Sequence, residues 1–305
     1  MSYPGQQLDL PGRGMRRRRK PRGMYILPSF FTAINIGAGF FAITQSLDGA
    51  ALAAQGPDGL ALAPHHFDLA ALAIGFAIPF DALDGRIARM TDTASEFGRE
   101  LDSLADVITF GVAPSILAFA WGFRSLPETM DADFRMKLIQ LGAFVCFLFL
   151  LCGAARLARF NISVDPQPKN PGRPGRKYFV GMPIPAAAGI VAAVVHAFIG
   201  LPVFNGWIAL VWSVLVGFVG FLMVSTWRFW SGKEINLTAR QPFRWVVFLG
   251  VSIYLLVFFS REVLLLLAIG YLVSGVVARL AYSWRRRHPR AQGQPAASSY
   301  QGPNA

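Results

Sequence analysis

Seven of the seventeen acidic residues of this 305-residue chain lie within residues 81–106, and four of them are aspartates in two spaced pairs. Asp81 and Asp84 are three apart at the end of an apolar run, and Asp102 and Asp106 are four apart at the start of the next one. Residues three or four apart share a face of a helix. Two antiparallel helices joined by a short turn would therefore direct all four carboxylates at one another.

These four aspartates indicate metal chemistry. A carboxylate near the middle of a membrane costs about 2.5–3.5 kcal/mol on insertion scales, and four together repel unless cations neutralise them. Oxygen ligands suit Mg²⁺ and Mn²⁺, and two such ions can clamp a phosphate during its displacement. Two acidic pairs at adjacent helix ends favour this site over its alternative, ordinary ion pairs with the neighbouring arginines Arg86, Arg89 and Arg99.

The elements that carry these residues are predicted to be membrane-spanning helices. Hydrophobic residues make up 54% of the chain and charged residues only 15%, against about 25% charged residues in soluble proteins. This composition excludes global disorder, which requires low hydrophobicity and high charge. Two cysteines are too few for disulfide bonds to stabilise a chain of this length. We therefore expect an all-α, polytopic integral membrane helical bundle.

Eight apolar stretches approach the roughly 20 residues that a helix needs to cross a bilayer. They lie near 27–47, 67–90, 102–123, 137–158, 179–200, 205–226, 243–260 and 262–283. The chain is accordingly divided into a basic tail (1–25), a membrane domain (26–237), a C-terminal transmembrane hairpin (238–284) and a second basic tail of disorder-like composition (285–305).

The basic residues predict the orientation in the membrane. The formal net charge is +12, and Lys and Arg concentrate in both tails and in alternate loops, 156–177 and 227–244. Basic segments beside apolar spans remain on the cytoplasmic side. We expect a multi-pass protein of the inner cell membrane with both termini and the aspartates on the cytoplasmic side. A nucleic-acid partner is not expected, because the basic tails lack interleaved aromatic residues.

The histidines do not suggest a second kind of chemistry. His65 and His66 fall on the predicted outer side, and His196 stands alone in an apolar span. We expect all three to pack or to be solvated. No grouping of Ser, His and Asp, or of Cys and His, is evident in the sequence, so a covalent mechanism is not predicted.

Small residues extend the aspartate pattern. Gly85 and Ala88 fall near the acid-bearing side of the first helix, and Gly98 lies at the turn into the second. Residues without large side chains let another helix or a ligand approach closely. The whole pattern resembles, at every specified position, the signature of the CDP-alcohol phosphotransferase family of integral membrane enzymes: Asp81-x2-Asp84-Gly85-x2-Ala88-Arg89-x8-Gly98-x3-Asp102-x3-Asp106.

The resemblance implies a fold, a reaction and a set of site residues. The family's reaction is attack of an alcohol on the β-phosphate of a CDP-linked lipid, with release of CMP, in a bundle of about six core helices that is often dimeric. By resemblance, the first three aspartates bind two metal ions, and Asp106 lies at the metals and is the catalytic base. The residues expected to contact CDP-diacylglycerol are Thr32, Asn35, Asp81, Gly85, Arg89 and Gly98.

Three further stretches resemble the phosphatidylserine synthases of this family: residues 100–114, 156–161 and 179–189. The opening at 27–35 is also similar, with Ser29 where the family usually has Asn. This resemblance implies L-serine as the acceptor alcohol. Arg156, Arg159 and Asn161 end the fourth span at the level of the aspartates and are candidate serine ligands, since guanidinium groups bind carboxylates in a bidentate manner. The two arginines could alternatively anchor the span or bind the CDP phosphates.

The predicted function is transfer of a phosphatidyl group from CDP-diacylglycerol to L-serine by metal-assisted direct displacement. The predicted partners are these two substrates, membrane lipids and a second copy of the chain. One alternative is a sister enzyme that uses glycerol 3-phosphate, inositol or choline. Another is a cation transporter, but transport favours acids near the bilayer midplane, whereas Asp81 lies about 12 Å from the end of its predicted span at Arg89.

Overall fold

The computed structural model describes residues 26–91, 96–162, 178–230 and 242–287. Within these ranges the chain forms eight helices and one two-stranded sheet. The helices are α1 (Ile26–Ala53), α2 (Pro57–Thr91), α3 (Glu96–Arg124), α4 (Ala132–Ile162), α5 (Ile184–Ala197), α6 (Gly206–Val224), α7 (Pro242–Phe258) and α8 (Ser260–Arg287). The strands are β1 (Tyr178–Val180) and β2 (Arg228–Trp230). The predicted all-α membrane fold is confirmed.

Six of these helices are long and apolar enough to cross a membrane. The helix α5 is apolar but has only 14 residues, and α7 has 17. At a rise of 1.5 Å per residue, α5 is about 21 Å long, which is shorter than a bilayer core of about 30 Å. The eight apolar segments therefore occur where the sequence predicted them, but the expected lengths hold only in part.

The predicted span 179–200 is wrong at its beginning. Phe179 and Val180 belong to β1, which pairs antiparallel with β2 in the register Phe179 to Phe229. Gly181 follows with a positive φ of 76°, a conformation that favours glycine. Pro183 then precedes the first residue of α5. The positive φ at Gly181 interrupts any helix that begins at residue 179. The helix α5 therefore starts only after Pro183.

The boundary between the first two spans also differs from the prediction. The first two predicted spans leave residues 48–66 between them, but α1 continues to Ala53 and α2 begins at Pro57. Pro57 occupies the first helical position, where a missing N–H costs little, and Asp58 lies in the favourable first turn. The helix α2 therefore has 35 residues. It is longer than its hydrophobic run because its polar ends extend the helix on both sides.

The helix α3 contains two π-helical stretches, Val107–Val112 and Ala120–Arg124. The first follows Asp106 directly. It includes Thr109, whose hydroxyl donates to the Asn35 carbonyl oxygen of α1 at 2.9 Å. A Cβ atom at Gly39 would lie 2.6 Å from the Thr109 hydroxyl oxygen, so glycine permits the close approach of α1 and α3. Single π-turns often occur at functional sites because they redirect the side chains around them.

His196 packs in the interior, as the sequence predicted, but it has polar partners there that the sequence did not reveal. Its Nδ1 lies 2.6 Å from an Asp68 carboxylate oxygen of α2, and its Nε2 lies 2.9 Å from the Ser260 hydroxyl of α8. The imidazole is buried, and its partners come from positions far apart in the sequence. Asp68 precedes Asp81 by thirteen residues on α2, about 20 Å along the helix. This polar network therefore joins three helices at a distance from the signature aspartates.

Candidate active site

Three of the four signature aspartates converge. One carboxylate oxygen each from Asp81 of α2 and from Asp102 and Asp106 of α3 lie within 4.8 Å of one another. The sequence produces this arrangement because Asp102 and Asp106 are one helical turn apart and α3 begins shortly after α2 ends. Asp81 and Asp106 also lie close enough to interact electrostatically. The convergence of two predicted helix faces is therefore observed for these three residues.

The three converging carboxylates are suitable ligands for a divalent cation. All three groups offer carboxylate oxygens, which hard ions such as Mg²⁺ and Mn²⁺ prefer. The Oδ1 atom of Asp106 is buried and has no hydrogen-bond partner among the described residues. A buried anionic oxygen without a partner is strongly unfavourable unless a charge compensates it. The unmatched oxygen and the crowded carboxylates together indicate a place where positive charge binds.

The side chains of three other predicted site residues lie outside the described part of the structure. They are Asp84, Gly85 and Arg89, and only their helical backbone within α2 is described. Asp84 as a further metal ligand and Gly85 and Arg89 as substrate contacts therefore stay predictions. Gly98 is described, half-buried on α3, one turn before Asp102.

The helix α1 places two predicted substrate contacts beside the aspartates. Thr32 and Asn35 are 4% and 2% exposed and lie one turn apart on the same face. The hydrogen bond from Thr109 to the Asn35 carbonyl fixes this face against α3, three residues beyond Asp106. The side-chain oxygen of Asn35 is buried without a hydrogen-bond partner in the described ranges. Asn35 is therefore positioned to bind a group that donates hydrogen bonds.

The candidate serine ligands occupy different environments. Arg156 of α4 is only 8% exposed, and its Nε has no hydrogen-bond partner among the described residues. Its guanidinium is close enough to the Asp106 carboxylate for electrostatic attraction. A buried guanidinium beside the carboxylate cluster can neutralise part of the local charge and bind a second anion.

Arg159 and Asn161 are tied to neighbouring elements. Arg159 donates from Nη1 to the Val224 carbonyl oxygen at 3.1 Å and from Nη2 to the Val180 carbonyl oxygen at 3.3 Å. Asn161 is exposed and donates from Nδ2 to the Ser103 hydroxyl at 2.9 Å. The bonds of Arg159 join α4 to the end of α6 and to β1. Of the three candidates, Arg156 is the one whose surroundings best suit ligand binding.

Sequence reasoning missed one residue of this region, Tyr271 of α8. Its side chain interacts electrostatically with Arg156 and stacks on Phe229 of β2, with ring centroids 5.6 Å apart. The signature gave no indication of it because 165 residues separate Tyr271 from Asp106. A single tyrosine in the otherwise apolar run 263–273 was the only available signal in the sequence.

Comparisons with known proteins agree with this geometry. A family model described as CDP-alcohol phosphatidyltransferase matches residues 25–198. A CDP-diacylglycerol–serine O-phosphatidyltransferase of Helicobacter pylori is 32% identical over 256 residues, covering 83% of this chain and 91% of that protein. A Mycobacterium leprae protein of the same name is 30% identical, covering 90% of this chain and 81% of the relative.

A third relative, the CDP-diacylglycerol–serine O-phosphatidyltransferase of Saccharomyces cerevisiae, is 36% identical over 170 residues. That alignment covers 56% of this chain and spans about half the length of the yeast protein, 53%. The similarity is therefore shared over nearly the full length with the two bacterial proteins and over a central part with the yeast protein.

Proposed function

This chain belongs to the CDP-alcohol phosphatidyltransferase family, and we propose that it transfers the phosphatidyl group of CDP-diacylglycerol to the hydroxyl of L-serine, giving phosphatidylserine and CMP. The observation that carries this proposal is the convergence of Asp81, Asp102 and Asp106, with one buried carboxylate oxygen lacking a partner. Three relatives with serine in their printed names support the acceptor.

The four signature aspartates would hold the metal. Asp81, Asp84 and Asp102, with Asp106 beside them, would be the ligands for two ions of Mg²⁺ or Mn²⁺. Bound there, divalent ions would neutralise negative charge on the pyrophosphate of the substrate and on the departing CMP. The side chains of the protein orient the donor lipid, bind serine and accept the hydroxyl proton.

Asp106 is the base for the acceptor hydroxyl. Serine's oxygen forms a bond to the β-phosphorus while the bond from that phosphorus to the bridging oxygen breaks, and this oxygen leaves with CMP. The hydroxyl proton moves to the Asp106 carboxylate. The attack is a direct displacement, in which Asp106 acts as a base and not as a nucleophile. The residues proposed to contact CDP-diacylglycerol are Thr32, Asn35, Asp81, Gly85, Arg89 and Gly98.

The proximity of Arg156 to Asp106 supports a small amino acid as the acceptor. In serine only two carbon atoms separate the hydroxyl from the carboxylate carbon. A base and a guanidinium that are neighbours can therefore engage both ends of the same molecule, and a charge-assisted bond to the carboxylate would hold the hydroxyl at the base. Arg159 and Asn161, on the same helix, stay candidate serine ligands.

The protein is a multi-pass membrane protein. We place it in the inner cell membrane, with both termini and the active site on the cytoplasmic side, because Lys and Arg concentrate in both tails and in the alternate loops 156–177 and 227–244 of the sequence. Lipids would surround the exposed apolar faces. A homodimer is proposed from the family resemblance.

The test is an assay of the purified protein with CDP-diacylglycerol and a panel of acceptors. CMP release and lipid product are measured with L-serine, glycerol 3-phosphate, inositol and choline, with and without EDTA. We expect serine-dependent CMP release and phosphatidylserine, lost with EDTA and restored by Mn²⁺ or Mg²⁺. Preference for another alcohol would replace serine within the same family, and release without any acceptor would indicate hydrolysis.

A further inference from the structure

The helix α8 lies beyond the residues that the family model matches, yet it packs against the core along one stripe. Residues on this stripe recur at intervals of three, four or eight, as expected for one helix face. Ser260, Ala268, Tyr271 and Gly275 are buried or half-buried, whereas Leu266, Leu267 and Val273 are exposed. The stripe contacts α5 and β2. One face of α8 is therefore part of the protein interior.

Two contacts fix the register of α8. At its first residue, the Ser260 hydroxyl meets His196 at 2.9 Å, and His196 in turn meets Asp68 at 2.6 Å. Further along, Tyr271 stacks on Phe229 with an interplanar angle of 27°. Gly275 lies against the same ring, where a Cβ atom would collide with it. Helix α8 is thus held at two points about 16 Å apart, eleven residues along its axis.

This register brings Tyr271 to Arg156. Asp81 lies thirteen residues beyond Asp68 on α2, and Tyr271 lies eleven residues beyond Ser260 on α8, so both side chains are at a similar depth from the His196 network. Tyr271 and Asp106 both lie close enough to Arg156 to interact with its guanidinium. The order of groups across the site is therefore phenol, guanidinium, carboxylate.

We propose that Tyr271 is a positioning residue for the acceptor: it orients the Arg156 guanidinium toward the serine carboxylate. The inference rests on the proposed function. A phenol hydroxyl is both donor and acceptor, so it can accept from the guanidinium without neutralising it. The positive charge of Arg156 then stays available for an anion, and rotation of the buried guanidinium is restricted. Helix α8 thereby contributes a side chain to the acceptor site.

The test compares two matched Tyr→Phe variants in full-length protein. Tyr271→Phe removes the hydroxyl but keeps the ring that stacks on Phe229. Tyr254→Phe removes a hydroxyl from α7, where the side chain is 55% exposed. Initial rates of CMP release give KM for serine and for CDP-diacylglycerol separately, and thermal unfolding in detergent monitors the fold.

For Tyr271→Phe we expect a rise of about 3- to 10-fold in the serine KM, the loss typical of one hydrogen bond. The KM for CDP-diacylglycerol and the melting temperature should stay at the wild-type values, as should every parameter of Tyr254→Phe. An unchanged serine KM overturns the inference, and so does a rise confined to CDP-diacylglycerol, which would assign Arg156 to its phosphates. Wild-type protein without serine-dependent CMP release would instead contradict the proposed function.

Discussion

Replacing Asp106 by Asn gives opposite expectations for stability and for catalysis. Asn has nearly the same volume but carries no charge and is a poor base. General-base catalysis contributes about 10²- to 10⁴-fold, so turnover should fall by that factor, equivalent to about 2.7–5.4 kcal/mol. The KM for CDP-diacylglycerol should change little, because Asp81, Asp84 and Asp102 still supply metal ligands.

The stability effect follows from the observed spacing. Asp106 lies within 4.8 Å of two other carboxylate oxygens. At an effective dielectric constant of about 20, two ionised carboxylates at that distance repel by about 3 kcal/mol. In EDTA this repulsion is uncompensated, so Asp106→Asn should melt at a higher temperature than the wild type. If Asp106 instead stabilised the fold, Asp106→Asn would melt at a lower temperature than the wild type.

The assay measures CMP release and thermal unfolding for wild type, Asp106→Asn and the control Asp48→Asn. Asp48 is exposed on α1, away from the cluster, and its variant should match the wild type in both measurements. A second readout is exchange of labelled CMP into CDP-diacylglycerol without serine, which direct displacement does not permit. Near-normal turnover of Asp106→Asn, or exchange at a rate comparable with turnover, would refute Asp106 as the base in a direct attack.

Four further outcomes are expected from the same preparations. Asp81→Asn should reduce turnover by at least ~100-fold, as for a disrupted electrostatic clamp, and should weaken reactivation by Mn²⁺ after EDTA; full reactivation would remove it from the ligand set. Arg156→Ala should raise the serine KM by roughly 10- to 150-fold with little effect on the KM for CDP-diacylglycerol, and the converse pattern would assign it to the phosphates. His196→Leu should lower the free energy of unfolding by about 1–2 kcal/mol in detergent, and an unchanged melting temperature would show that its hydrogen bonds contribute nothing. Gly39→Ala should destabilise by about 1–3 kcal/mol because its Cβ would meet α3 at 2.6 Å, whereas Gly37→Ala, with nothing within 4 Å, should not; equal effects would contradict the close-packing argument.

Local spacing made the aspartate site predictable. Asp102 and Asp106 had to share a face once their segment was helical, and Asp81 had to meet them once the two helices were antiparallel neighbours. Both conditions depend on short stretches of sequence: apolar length, helical period and a brief connection. The structure confirms this convergence for the three aspartates whose side chains are described.

Contacts between distant segments could not be predicted in the same way. The pairing of Phe179 with Phe229, the partners of His196 and the approach of Tyr271 to Arg156 each join residues far apart in the chain. Hydropathy gives the length of a segment but not the rotation of its helix, and rotation decides which side chain faces which neighbour. The sheet was missed for a related reason: three-residue strands carry too little alternation to be recognised.

The position of α1 explains how two helices can hold their carboxylates close together. Asp81 belongs to α2 and Asp106 to α3, so their separation depends on a third element that contacts both. The helix α1 packs along α2 and also against α3, where glycine at position 39 allows close approach and the Asn35 carbonyl binds Thr109. These apolar and hydrogen-bonded contacts offset the repulsion that the carboxylates create. The same helix presents Thr32 and Asn35 at the site, so the element that sets the spacing of the carboxylates is also the one proposed to contact the nucleotide.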